Sequence, residues 1–367
     1  MKRIVLLLLL IAATSLHAQT REEITVEVVN VPVYVYQNDL PVEGLTRDQF
    51  ELLVNGKPQP IDYFDVMDLG QPVARPGTPA ANAEQRRLFV LLFDMTFSSP
   101  ERILRGQRAA TSLVEHAAPA DAFAVATFSP GNGLEILLQF TDDHEAILGT
   151  VKTLRPKTAE IAEREGTMEG HEPAIVAFVD MPSFVETKRP DRSVEIAQPT
   201  AVSGELSRDA VRRIAELGVT GLADLGAALA KIDGFNKHVI LLSEGFRVDN
   251  ASLRTIPMIE KMQESFHGAN AFLHALDTAG LRHTFKVAAG DGLRQLSEAT
   301  GGEWLHNSND LGAQLTHLSD TYRQAYILGF RPTKARAGHN SIVVRVKNLP
   351  RGAHVTYRRG FVRAHGG

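Results

Sequence analysis

Six consecutive apolar residues, Leu88 to Phe93, closed by Asp94, constrain this chain more than any other stretch. Continuous apolar character over that length suits a strand buried on both faces of a parallel sheet, and such sheets need crossover helices on both sides. A helix is expected at once. Ser99 suits its N-cap, Pro100 the first helical position, and Glu101 opposes the positive end of the helix dipole. Asp94, Thr96 and Ser98 then fall at alternate positions on the turn at the carboxyl end of the strand, where open α/β sheets place their ligands.

The pattern repeats downstream. Ile103, Ala110 and Val114 recur at helical spacing, AFAVATFS reads as a second strand, and Gly131-Asn132-Gly133 turns it into LEILLQF, an antiparallel edge strand. Asp142-Asp143 caps a helix through Ile147 and Val151. Residues 155–205 are polar, charged and proline-containing around the apolar piece AIVAFV, and read as an insertion. Helical periodicity returns at Val211, Ile214 and Leu217, followed by two buried strands, KHVILLS and AFLHALD, and the helix LRQLSEAT with a Gly-Gly stop. Residues 86–306 are therefore expected to form an α/β unit with a doubly wound, mostly parallel sheet.

The flanks read as β-structure. ITVEVVNVPVYVY alternates, Gln37-Asn38-Asp39 supplies a turn, and Asn55-Gly56 marks a hairpin with IDYFDV as its return strand. These make residues 19–68 an N-terminal β module, joined by a Pro/Gly/Ala-rich linker at 69–85. Residues 307–367 comprise a bridging helix and three alternating strands, QAYILGFRP, NSIVVRVKN and HVTYRRGF. Together with the N-terminal strands they suffice for one immunoglobulin-like β-sandwich, with the α/β unit inserted between its halves.

Lys2 and Arg3 before an apolar core from Ile4 to Ala13, with Leu16-His17-Ala18 as an A-x-A-like site, read as a signal peptide over residues 1–18. The mature chain is expected to be exported, periplasmic or extracellular, without a membrane span. It contains no cysteine, which excludes disulfides, thiolate metal sites and Cys nucleophiles. The net charge of −4 becomes about −6 without Lys2 and Arg3, so no basic field draws in nucleic acid.

Asp94, Thr96 and Ser98 form an Asp-x-Thr-x-Ser pattern after a hydrophobic strand, which resembles the metal-ion-dependent adhesion site of the von Willebrand factor type A (VWA) family, usually Asp-x-Ser-x-Ser. Thr220, in Gly218-Val219-Thr220 ahead of LADLGAALAKI, matches that family's second metal-site threonine, carried in a turn just before a helix. KHVILLSEG ends in Glu244-Gly245 where VWA strands usually end in Thr-Asp-Gly, so Glu244 stands for the aspartate with one methylene more. The order of VNVPVYVY, PVEGLTRDQFELLVNGKPQPI, LFVLLFD, KHVILLSEGF, LRQLSEATGG, YILGFRP, VRVKN and YRRGF resembles the secreted bacterial VWFA-related family first named from acidobacteria.

The resemblance implies a hard-oxygen site for Mg²⁺, with Ca²⁺ or Mn²⁺ as alternatives. Asp94 is its anionic anchor, Thr96 and Ser98 its hydroxyl ligands, Thr220 a ligand in some states and Glu244 the distal acid. A partner's carboxylate then fills the open coordination position. The expected function is non-enzymatic interaction with a protein or surface ligand. Two alternatives stand beside it: a hydrolase using Asp94 and Glu244 around a metal-bound water, and a metal-free scaffold that presents the insertion. The same residues also have simpler uses, Thr96 and Ser98 as helix caps and Asp94 as acceptor for nearby amides.

Other residues count for less. His171-Glu172 belongs to no H-E-x-x-H pair, and no Gly-x-Ser-x-Gly elbow presents a serine. The histidines read as surface or satisfied core groups. Arg345, Lys347, Arg358, Arg359 and Arg363 read as edge-strand charges that prevent edge pairing.

Overall fold

The computed structural model describes residues 28–69, 86–129, 132–154, 208–234, 236–245, 255–281, 287–332 and 335–363. The expected signal peptide, nearly all of the linker and the 155–205 insertion lie outside these residues.

The apolar run forms β6 (Leu88–Asp94), buried at every position. Strand alternation sends its side chains into two separate cores. Leu88, Val90 and Leu92 pack against α3 (Arg208–Leu229), α4 (Thr255–Ala269) and α5 (Val287–Thr300). Phe89, Leu91 and Phe93 pack against α1 (Pro100–His116), α2 (His144–Thr153) and α6 (Leu311–Thr321). The sheet order is β11-β10-β9-β6-β7-β8, with β7 (Ala122–Ser129), β9 (Lys237–Ser243), β10 (Ala271–Asp277) and β11 (Trp304–Leu305) parallel and β8 (Gly133–Thr141) antiparallel at one edge. In chain order this is 3-2-1-4-5-6, the doubly wound arrangement whose switch point lies between its first and fourth strands, here β6 and β9.

Both flanks contribute to two further sheets. β1 (Val29–Gln37) pairs with the short β2 (Leu40–Pro41), with β12 (Gln324–Phe330) and with β14 (His354–Tyr357), while β3 (Phe50–Val54) pairs with β13 (Gly338–Val346). Val31, Val33, Val35, Leu52, Leu328 and Ile342 share one core between these sheets. The opposite faces of β1 and β12 present Tyr34, Ala325 and Ile327 to the α/β unit. The strands at the two ends of the chain thus pair with each other. The hairpin at Asn55-Gly56 has both residues at positive φ, 49° and 75°, as a type I′ turn requires. Its return strand, however, is β4 (Lys57–Gln59). The segment expected as the return strand instead forms β5 (Tyr63–Asp68) and crosses to pair with β12.

Close packing of α3 against α4 depends on a missing Cβ at Gly226. A Cβ there meets Ser265 Cβ at 2.8 Å and the backbone N of Phe266 at 3.0 Å, on the facing helix α4. Gly226→Ala is expected to lower unfolding stability by about 1–3 kcal/mol, since a well-packed contact must open. Urea denaturation reads this directly, and an unchanged midpoint means that α3 and α4 separate freely.

Candidate functional site at the switch point

Asp94 ends β6 beside β9, and the residue is 1% exposed. Oδ1 accepts from the backbone N–H of Thr96 at 2.8 Å and of Phe97 at 3.0 Å, and Oδ2 accepts from Ser243 Oγ at 2.5 Å. Burial pushes the carboxyl up to about 6, while the Ser243 hydroxyl and the two amides pull it down and the Glu244 charge adds to the rise. Among the described residues no cation forms an ion pair with it.

Ser98 accepts at Oγ from the Glu244 backbone N–H at 3.0 Å. Glu244 reaches back across the cleft: Oε2 accepts from the Ser99 N–H at 3.1 Å, and Oε1 lies 3.9 Å from Arg102 Nε. Its carboxylate therefore sits at the N-terminus of α1, where unsatisfied amides and the dipole favour an anion. Ser99 is the N-cap residue but makes no side-chain cap bond, so Glu244 satisfies an amide there from another strand. The helix itself approaches closely at Gly106, where a Cβ meets Thr278 Cγ2 at 3.4 Å.

The structure brings Asp94, Thr96, Ser98 and Glu244 to one turn pair, linked by bonds between the two strand ends. The Thr96 hydroxyl lies 3.5 Å from the Phe128 carbonyl, a weak contact. Thr220 differs from expectation. It lies inside α3 rather than in a turn before a helix, and its hydroxyl donates to the Glu216 carbonyl one turn back at 2.9 Å. The helix runs through Gly218 because apolar residues keep their spacing across it, with Ile214, Val219, Leu222 and Leu225 all buried in one core. Gly221 fits there because a Cβ would meet Leu134 at only 3.3 Å.

One participant was not singled out from the sequence. Ser243 donates to Asp94 and also accepts from the Gly245 N–H at 3.2 Å, so it ties the β9 turn to the β6 turn. Its signal was its place before Glu244, where the VWA Thr-Asp-Gly pattern has a hydroxyl.

The donor set fits a hard divalent cation in chemistry: two hydroxyls and two carboxylates, one of them a buried acid with no positive partner among the described residues. It also satisfies itself as it stands, since three donors already occupy the Asp94 carboxylate.

No protein-family profile matches the chain, and no curated protein matches it. Solved structures do. A von Willebrand factor type A protein from Catenulispora acidiphila aligns at 9% identity over 93% of this chain and 75% of its own, with a TM-score of 0.39. An aerotolerance-related membrane protein from Bacteroides fragilis aligns at 8% identity over 64% of this chain and 98% of its own, TM-score 0.36. Proximal thread matrix protein 1 from the mussel byssus, with a zinc-occupied metal-ion-dependent adhesion site, aligns at 16% identity over 64% of this chain and 48% of its own, TM-score 0.33. Likenesses of this size leave every residue role to be argued from this chain's own geometry.

Proposed function

We propose that this chain is an exported, non-enzymatic interaction protein of VWA type that captures an acidic group of a protein or surface ligand at the β6–β9 switch point. The two terminal sheets act in this reading as an immunoglobulin-like platform for the α/β unit. One observation carries the proposal: a buried carboxylate, Asp94, has no cationic partner among the described residues, while the Ser243 hydroxyl of the neighbouring strand end reaches it and the Glu244 backbone N–H holds Ser98 on the same turn. Asp94, Thr96, Ser98 and Glu244 would hold Mg²⁺, Ca²⁺ or Mn²⁺, with Thr220 left to a state in which α3 begins later. The ion supplies a positive charge that a ligand carboxylate can meet. Ser243 orients Asp94, and the Thr96 and Phe97 amides keep its Oδ1 in place.

The test is thermal and urea unfolding of the protein with EDTA, Mg²⁺, Ca²⁺ or Mn²⁺, for the native chain and for Asp94→Ala. An ion at a hundredfold excess over its Kd is expected to stabilise the native chain by about 2.7 kcal/mol and the variant not at all. A second reading, the metal-free scaffold, has its own support in the three donors already bound to Asp94. It requires the opposite result, with no ion shifting the midpoint.

A further inference from the structure

At the other end of the sheet, below the start of β9, a cavity of about 300 Å³ opens between the α/β unit and the terminal strands. His267, Gly268, Asn270, Arg358, Phe361 and Val362 line it, and none of the described lining residues is acidic. Arg358 is 5% exposed and, among the described residues, makes no ion pair. Its Nη1 donates to the His267 carbonyl at 3.2 Å and its Nη2 to the Asn30 carbonyl at 2.7 Å, while its Nε is buried without a partner. The edge-strand role expected for this arginine is therefore incorrect: the charge faces inward. Burial pushes the guanidinium down to about 9, the response of a cation taken from water with nothing to offset it.

Two more unmatched atoms sit in the same wall. Asn270 Oδ1 and His267 Nε2 are buried without partners, the latter on a ring whose Nδ1 lies 3.1 Å from His339 Nε2. An unpaired planar guanidinium calls for a carboxylate, which it meets in a two-point fork. An unmatched side-chain carbonyl oxygen on another residue of the same lining calls for an N–H donor. Phe361 and Val362 add an apolar side. A carboxylate, an adjacent N–H and an apolar group are the three features of a peptide's last residue.

We propose that this cavity binds the C-terminal residue of a peptide, with its carboxylate on Arg358, its amide N–H on Asn270 Oδ1 and its side chain against Phe361 and Val362. The site is separate from the switch point and needs no metal. A volume of about 300 Å³ is at the small end for ligand sites and suits one residue rather than a longer segment.

Isothermal titration of the full chain with N-acetylleucine and with N-acetylleucine amide tests this. The acid is expected to bind at least tenfold more tightly than the amide, which lacks the charge. Gly268→Leu serves as an occluding variant, because a Cβ at Gly268 meets nothing within 4 Å and the larger side chain projects from the cavity wall. Val362→Trp, at a residue 45% exposed, is a second. Both are expected to lose the acid while keeping the native unfolding midpoint. Equal binding of acid and amide, no binding of either, or acid binding unchanged in both folded variants overturns the proposal.

Discussion

Lowering the pH from 6.5 to 4.5 is expected to remove about 5 kcal/mol of stability, a large share of what a protein of this kind possesses. Three histidines are responsible. His238, His267 and His274 are almost wholly inaccessible, and burial holds His267 and His274 down to about 3 and His238 well below the usual range. In the unfolded chain each takes up a proton near pH 6.5. Above that pH neither state holds the proton and nothing is lost. As the pH falls through the window from 6.5 toward 3, only the unfolded state gains protons, at about 1.4 kcal/mol per pH unit for each histidine.

Two acids oppose them. Asp94, raised to about 6, and Glu303, raised chiefly by burial, keep their protons longer in the folded state and so add stability as the pH falls. Two acids offset part of three histidines, and the net effect stays destabilising. Urea midpoints at pH 6.5 and 4.5 measure it. His267→Gln should reduce the slope by about one proton's worth. A flat profile between these pH values rules out neutral burial of all three rings.

The second large effect is expected from Asp121→Ala, at about 3–5 kcal/mol of lost stability. Arg87 is 0% exposed and Asp121 1%, and they meet in a fork: Nε to Oδ1 at 2.9 Å and Nη2 to Oδ2 at 2.5 Å. Arg87 Nη1 also donates to the Ser319 carbonyl at 2.6 Å, and Asp121 Oδ2 accepts from the Ala118 N–H. The pair therefore joins the start of β6, the turn before β7 and the end of α6. Removing the carboxylate alone leaves a guanidinium in a dry site. Removing both charges, as Arg87→Met with Asp121→Ala, is expected to cost less than the sum of the single changes, and a double-mutant cycle gives that coupling. Additive effects mean that water reaches the site.

How much of this was legible in the residues differs between the fold and the site. The β6 strand was readable because burial on two faces demands an unbroken apolar run, and Leu88–Phe93 divides between two cores accordingly. The Asn55-Gly56 turn was readable because its positive φ values select those residues. The partner of β5 was not: alternation marks a strand but carries no address, and only the antiparallel pairing in the structure showed that Tyr63–Asp68 crosses to β12. Thr220 was misplaced for a related reason. Glycines on either side look like a turn locally, and the apolar face of α3 against the sheet overrides them.

By itself, the sequence determined the alternation of buried strands and helices, the β character of both flanks and the acid-hydroxyl turn after β6, all of which follow from periodicity and side-chain chemistry over a few residues. Only the tertiary structure decided that Ser243 bridges to Asp94, that Glu244 reaches the Ser99 amide at the N-cap of α1, that His238 and His274 meet at 3.1 Å and that Arg358 turns inward without an acid among the described residues. Each of these joins positions far apart in the chain. Contacts of that kind depend on register and on how layers pack, and no local pattern encodes either.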